Sequence, residues 1–232
     1  MTLFLTSSPC WDDVPESCDL PCVFDERNGF VAALRGAVAP GARCAFVASD
    51  PSTYDRLEEF ADTFTRCFAW HGMPFSHVTL LDNRTADQAE RIIRDADVLI
   101  LAGGHVPTQN AFFQRIRLRE LVAGFDGAIM GISAGTMNCA ETVYAQPEMP
   151  GESIDPDYER FLPGLGLTEL NILPHYQRSG TPYSMVGGST RTSPMRTARA
   201  ALSSCWWTAA TFFPSMVTRR STARLIASAT GA

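Results

Sequence analysis

Five short, almost uninterrupted apolar runs recur along the first 133 residues: TLFLTSS (2–8), RCAFVAS (43–49), HVTLLD (77–82), DVLILAGG (97–104) and GAIMGIS (127–133). A strand wetted on one face alternates apolar with polar residues, whereas a strand covered on both faces has no polar side to show. The segments between the later runs have helical spacing. PSTYDRLEEFADTFTRCFAWHG opens at Pro51 and stops at Gly72, and TADQAERIIRDA carries Thr85 in a capping position. PTQNAFFQRIRLRELVAGF sets Phe112, Phe113, Ile116 and Leu121 on one helical face. Strand and helix in alternation predict an α/β fold: a doubly wound, mostly parallel sheet with helices on both faces. No repeat or linker interrupts it, so one domain is expected.

Sheets of this kind carry their chemistry at the carboxyl ends of the strands. Two of the runs end in informative turns, LAGGHVPTQN and GISAG. In a Gly-x-Ser-x-Gly turn between strand and helix, the serine sits in a strained conformation and the flanking glycines avoid side-chain collisions. Gly131, Ser133 and Gly135 fit that pattern, and Ala134 offers an N–H at a helix start for an oxyanion. A serine after a strand can also simply cap a helix, so Ser133 needs partners before it reads as a nucleophile. Gly103 and Gly104 let backbone approach a bound carbonyl, with Gly104 N–H as the second oxyanion donor. A serine also needs a base. His71 and His77 flank a helix-to-strand turn and read as structural or exposed. His175, just beyond the apolar segment of LNILPHYQ, is the first choice. His105 and Asn138 are substrate-binding candidates.

Composition narrows the function class. A hydrophobic fraction of 45% with 19% charged residues is that of a soluble globular protein, and no apolar run approaches a membrane span. The N-terminal MTLFLTSSPCWDD has no basic region of a signal peptide, so a cytoplasmic protein is expected. A net charge of −6 argues against a nucleic-acid surface. The seven cysteines include one CxxxC (Cys18, Cys22) with no second pair or histidine cluster. They read as free thiols in a reducing compartment, with no metal and no cofactor expected.

GGHVPTQNAFF, GISAGTMNCA, PEMPGESIDP and ILPHYQ, in that order and spacing, resemble the aspartyl dipeptidase (dipeptidase E) and cyanophycinase-like family of serine peptidases. The resemblance covers residues 1–177. It implies a class I glutamine amidotransferase-like sheet, Ser133 as nucleophile, His175 as base and a small-peptide substrate, with an acidic N-terminal residue in the dipeptidase type. It implies no nucleic-acid or membrane partner, and allows a homodimer. An acid assigned in the family fifteen residues after the serine falls on Glu148. A second acid, on a strand after the histidine, is the structural candidate for the triad; this chain has no acid beyond Glu169. An esterase or amidase using the same turn, and a non-catalytic binding protein, remain alternatives.

The last quarter of the chain is of another composition. Residues 1–177 hold all 25 acids and 12 of the 19 arginines, whereas residues 178–232 hold seven arginines and no Asp, Glu, Asn, Gln or His. The family expects an acidic, strand-forming region here. In the reading frame one base upstream, the codons of Cys205–Trp206, Trp206–Trp207 and Trp207–Thr208 can encode only Leu, Val and Asp. Met216–Val217 and Met185–Val186 each force Gly. Residues from about 178 onward therefore read as an out-of-frame tail that replaces the C-terminal part of the same domain and impairs the enzyme.

Overall fold

A computed structural model describes residues 1–11 and 14–175, together with the strand segments 206–208 and 217–218. Strand β1 (Thr2–Thr6) is followed by two short strands, β2 (Cys10–Trp11) and β3 (Val23–Phe24), which pair with each other antiparallel. Next come helix α1 (Phe30–Ala37), β4 (Arg43–Val47), α2 (Tyr54–Trp70) and β5 (His77–Leu81). A 3₁₀ turn at Ala86–Gln88 leads into α3 (Ala89–Asp95), and β6 (Val98–Leu101) into α4 (Val106–Arg115) and α5 (Leu118–Val122). Beyond β7 (Ala128–Ile132) and α6 (Ala134–Asn138) lie β8 (Thr142–Tyr144), β9 (Phe161–Pro163) and β10 (Asn171–Leu173). Two further segments are β11 (Trp206–Thr208) and β12 (Val217–Thr218).

All five apolar runs are strands of one sheet, in the order β12-β1-β7-β6-β4-β5, with β1, β7, β6, β4 and β5 parallel. Their register aligns Phe4, Met130, Ile100, Phe46 and Leu80 in one row. Phe4 meets Phe30 of α1 edge-on, and Phe46 meets Phe64 of α2. Helix α5 packs on both α3 and α4, and α3 also touches β4 and β5. Residues 128–132 are buried throughout, as are 98–101, which is why those runs carry no polar member. No helix among the described residues is long and apolar enough to cross a membrane.

Two local expectations fail. The segment expected as one helix from 107 to 125 breaks at Arg117, whose φ of 55° lies in the left-handed region. The break turns Leu118 fully into the core, while Leu121 is only partly buried. Thr85 does not cap α3: its Oγ1 donates to Leu80 O (2.8 Å) and accepts from Asp82 N–H (3.2 Å), closing the turn after β5 instead. The out-of-frame reading of residues 178–232 falls for the most part outside the described residues. Of the segments described there, β11 pairs parallel with β10 and β12 antiparallel with β1.

Candidate active site

Register brings the site together. Thr6 is level with Ile132, and Leu101 with Gly131, so the chain leaves β1, β6 and β7 at one edge through Ser7, Ala102–Gly104 and Ser133. Ser133 has φ 50° and ψ −109°, a conformation few non-glycine residues adopt and one that stores roughly 1–3 kcal/mol. Its neighbours explain the glycines around it. A Cβ on Gly131 would lie 2.8 Å from Thr136 N, and one on Gly135 would lie 2.2 Å from Leu101 O. Buried threonines hold the turn shut. Ser133 N–H donates to Thr6 O (2.9 Å) and Thr6 Oγ1 to Gly131 O (2.8 Å). Thr136 Oγ1 accepts Thr6 N–H at 2.9 Å and lies 2.7 Å from Thr6 O.

The β6–α4 turn passes directly beside this serine. A Cβ on Gly103 would stand 3.4 Å from Ser133 Cβ, and one on Gly104 would meet Ser49 Oγ at 2.5 Å. Both residues thus offer bare backbone. Among the described residues, neither Gly104 N–H nor Ala134 N–H donates to a protein group. Ala134 opens α6, where first-turn N–H groups have no partner within the helix.

His175 lies two residues beyond β10 with φ 58°. Its Nε2 is 3.0 Å from Ser133 Oγ, its N–H donates to Ser7 Oγ at 2.9 Å, and its Nδ1 is 3.5 Å from the same hydroxyl. Ser7, Arg56, Gly104, Ser133, Glu148 and His175 line one cavity of about 690 Å³.

The other sequence candidates divide. Glu148 reaches the cavity wall, and burial holds its carboxyl above the usual range, opposed by the charge of His105 and reinforced by that of Glu152. His105 is not among the residues lining the cavity. Its Nδ1 meets Thr108 Oγ1 and its Nε2 meets Glu152 Oε1, each at 2.8 Å, so both ring nitrogens are engaged at the start of α4. Asn138 sits in a buried amide network. It is fully buried; its Nδ2 donates to Gln109 Oε1 (3.0 Å), and its Oδ1 accepts from Asn110 (2.8 Å). The arginines of the α4–α5 segment pair away from the cavity: Arg119 with Glu141, Arg117 with Glu120, Arg115 with Asn83.

Three residues escaped the sequence reading. Ser7 and Thr136 carried a signal, since each lies close after the carboxyl end of an expected strand. Arg56 sits in the first turn of α2, and only the tertiary fold turns it to the cavity. Three of the free thiols also converge: the Sγ atoms of Cys10, Cys22 and Cys67 all lie within 4.8 Å of one another.

A strained serine with an imidazole 3.0 Å from its hydroxyl has the chemistry of an acyl-transfer centre, and the class it defines is the serine-type hydrolases. The family follows from sequence: the family model of peptidase family S51 matches residues 31–201, and the chain belongs to that family. Among solved structures, the fold is similar to that of a Listeria monocytogenes EGD-e protein provisionally assigned as a peptidase E. That pair has TM-score 0.52 and 20% identity, covering 78% of this chain and 81% of the other. A peptidase from an acI-B1 actinobacterium gives TM-score 0.41 and 17% identity over 62% of this chain and 59% of its own. No curated protein matches the sequence.

Proposed function

We propose that this chain is a dipeptidase-type serine peptidase in which Ser133 is the nucleophile and His175 the general base. The carrying observation is the 3.0 Å separation of Ser133 Oγ and His175 Nε2 at a strained strand-to-helix turn. Ser133 Oγ attacks the scissile carbonyl as Nε2 takes its proton, and the carbonyl oxygen becomes an oxyanion received by Gly104 and Ala134 N–H. His175 returns the proton to the departing amine. Water then cleaves the acyl-serine by the same route.

A cavity of about 690 Å³ suits a short peptide rather than a folded chain. Arg56, whose guanidinium lies over the Phe60 ring and has no ion pair among the described residues, supports selection of a substrate carboxylate. That accords with an acidic N-terminal residue. Glu59 lines the same wall, so the carboxylate is received on the Arg56 side. Incubating the purified chain, translated in the restored frame from about residue 178, with Asp- and Glu-initiated dipeptides, their Ala- and Lys-initiated counterparts and acyl esters tests this reading. Cleavage of acidic dipeptides above the rest is expected. Hydrolysis of esters alone would make it an esterase, and absence of fluorophosphonate labelling at Ser133 would remove it from the enzymes.

The proposal includes impairment by the tail. In the register of β10 with β11, Leu173 partners position 208, which the upstream frame reads as Asp. A carboxylate there would leave its strand beside the segment leading to His175, where an orienting acid belongs; removing such an acid can lower kcat roughly 10⁴-fold. A chain translated in the restored frame from about residue 178 is expected to be markedly more active and more protease-resistant. Equal activity of the two chains would mean that Glu148 suffices and that the tail is native. An uninterrupted homologous frame in the coding DNA would have the same meaning.

A further inference from the structure

Beside the cavity that holds Ser133, three elements deliver one thiol each. Cys10 comes from β2, Cys22 from the residue before β3, and Cys67 from the buried face of α2. The β2–β3 pairing sets Cys10 opposite Phe24, and Cys22, just before β3, brings its Sγ within 4.8 Å of that of Cys10. Cys67 Sγ also donates to Cys22 O at 3.1 Å, which ties the helix to the hairpin. We propose that Cys10, Cys22 and Cys67 form a binding site for one thiophilic d¹⁰ cation, Zn²⁺ or Cu⁺, with its remaining coordination position on the cavity side.

The geometry is close to what such an ion needs. Metal–sulfur bonds of about 2.3 Å set thiolates at tetrahedral or trigonal positions about 3.8–4.0 Å apart. The three sulfurs, all within 4.8 Å of one another, close to that spacing by at most about 1 Å. Two of the ligands, Cys10 and Cys22, line the cavity, while Cys67 is fully buried, so the open side faces solvent and an entry path exists. Binding releases the protons of the ligating thiols to solvent. Spacings of 12 and 45 residues between these cysteines match no linear metal motif, which is why the sequence concealed the cluster.

The test is a titration of the reduced, full-length chain with Co²⁺, with Zn²⁺ and, anaerobically, with Cu⁺. One equivalent of Co²⁺ should give an intense ultraviolet sulfur-to-metal band with the visible bands of a tetrahedral thiolate site, and Zn²⁺ should displace it. Tight stoichiometric binding in the Cu⁺ arm, with Zn²⁺ weak, would assign the trigonal ion instead. Cys10→Ser and Cys22→Ser, both at partly exposed positions, should each weaken binding beyond the roughly 10–100-fold that losing an outer-sphere partner costs. Cys18→Ser, whose charge reaches Cys67 but whose sulfur lies outside the cluster, should bind as the parent does. No thiolate band with any of the three ions would overturn the proposal, and so would binding that survives in both serine variants. These readouts are independent of peptidase activity.

Discussion

The hydroxyl of Ser7 receives the main-chain N–H of His175 at 2.9 Å, across 168 residues of sequence. It thereby fixes a residue of positive φ at the point where its imidazole meets Ser133. Ser7→Ala leaves that partly buried N–H without its acceptor, an effect of about 1–3 kcal/mol. Because the lost contact positions the base rather than the substrate, kcat should fall roughly tenfold or more with KM little changed. Ser7→Thr, which keeps the hydroxyl, should recover most of the loss. A rise in KM at constant kcat would assign Ser7 to substrate binding instead.

Ser133→Ala and His175→Ala should each remove nearly all turnover, and the double variant should be no worse than either single one. Groups that act as a unit lose their combined effect, roughly 10⁶-fold, with the first deletion. The folded state should persist, since neither side chain belongs to the buried core. Steady-state kinetics with thermal unfolding of all three variants, in the restored frame, separates this from independent roles. Additive losses would contradict it.

What the sequence revealed and what it hid divide by how far the information travels along the chain. The five strands were legible because double-sided burial erases every polar position in runs such as VLIL at 98–101. Ser133 was legible because its glycines are local requirements, each answering a backbone clash within or beside the turn. Hidden features depend on long-range placement. Asn138 adjoins the elbow in sequence yet points into a buried amide network with Gln109 and Asn110. His105 follows the glycine turn yet is taken by Glu152, 47 residues away. Nothing local distinguishes such residues from ligands.

The two acids of the 148–152 segment should give opposite pH signatures. Burial would raise the Glu152 carboxyl, but N–H donors from Met149 and Glu148 and the nearby His105 more than offset it, and its pKa is lowered from 4.5. Its contribution is therefore present above pH 4.5 and lost as pH falls through the depressed folded-state value. Glu148 is raised above 4.5, chiefly by burial, so its contribution is full below 4.5 and lost as pH rises through the elevated value. Urea midpoints measured against pH should show the acid limb flattened in Glu152→Gln. Glu148→Gln should be no less stable than the parent at neutral pH. A Glu148→Gln variant destabilised at pH 7 would mean that the charged form has a favourable partner.

Gly135→Ala should separate the elbow from the strand beside it. The added methyl would fall 2.2 Å from Leu101 O and 2.8 Å from Leu101 C, both backbone atoms of a strand held on two sides, so no side chain can swing clear. Relief requires α6 to move off β6, at a cost of roughly 1–3 kcal/mol or more. In the proposed mechanism that shift would carry Ala134 N–H away from Gly104 N–H, its partner oxyanion donor. Stability and kcat should therefore fall together, with KM less affected. Gly124→Ala is the matched control, because its Cβ would meet nothing within 4 Å and its φ is not in the left-handed region. It should unfold at or slightly above the parent's urea midpoint and keep full turnover. If Gly135→Ala unfolds with the control and retains its kcat, the close packing of the elbow on β6 is not what holds Ser133 in its strained conformation.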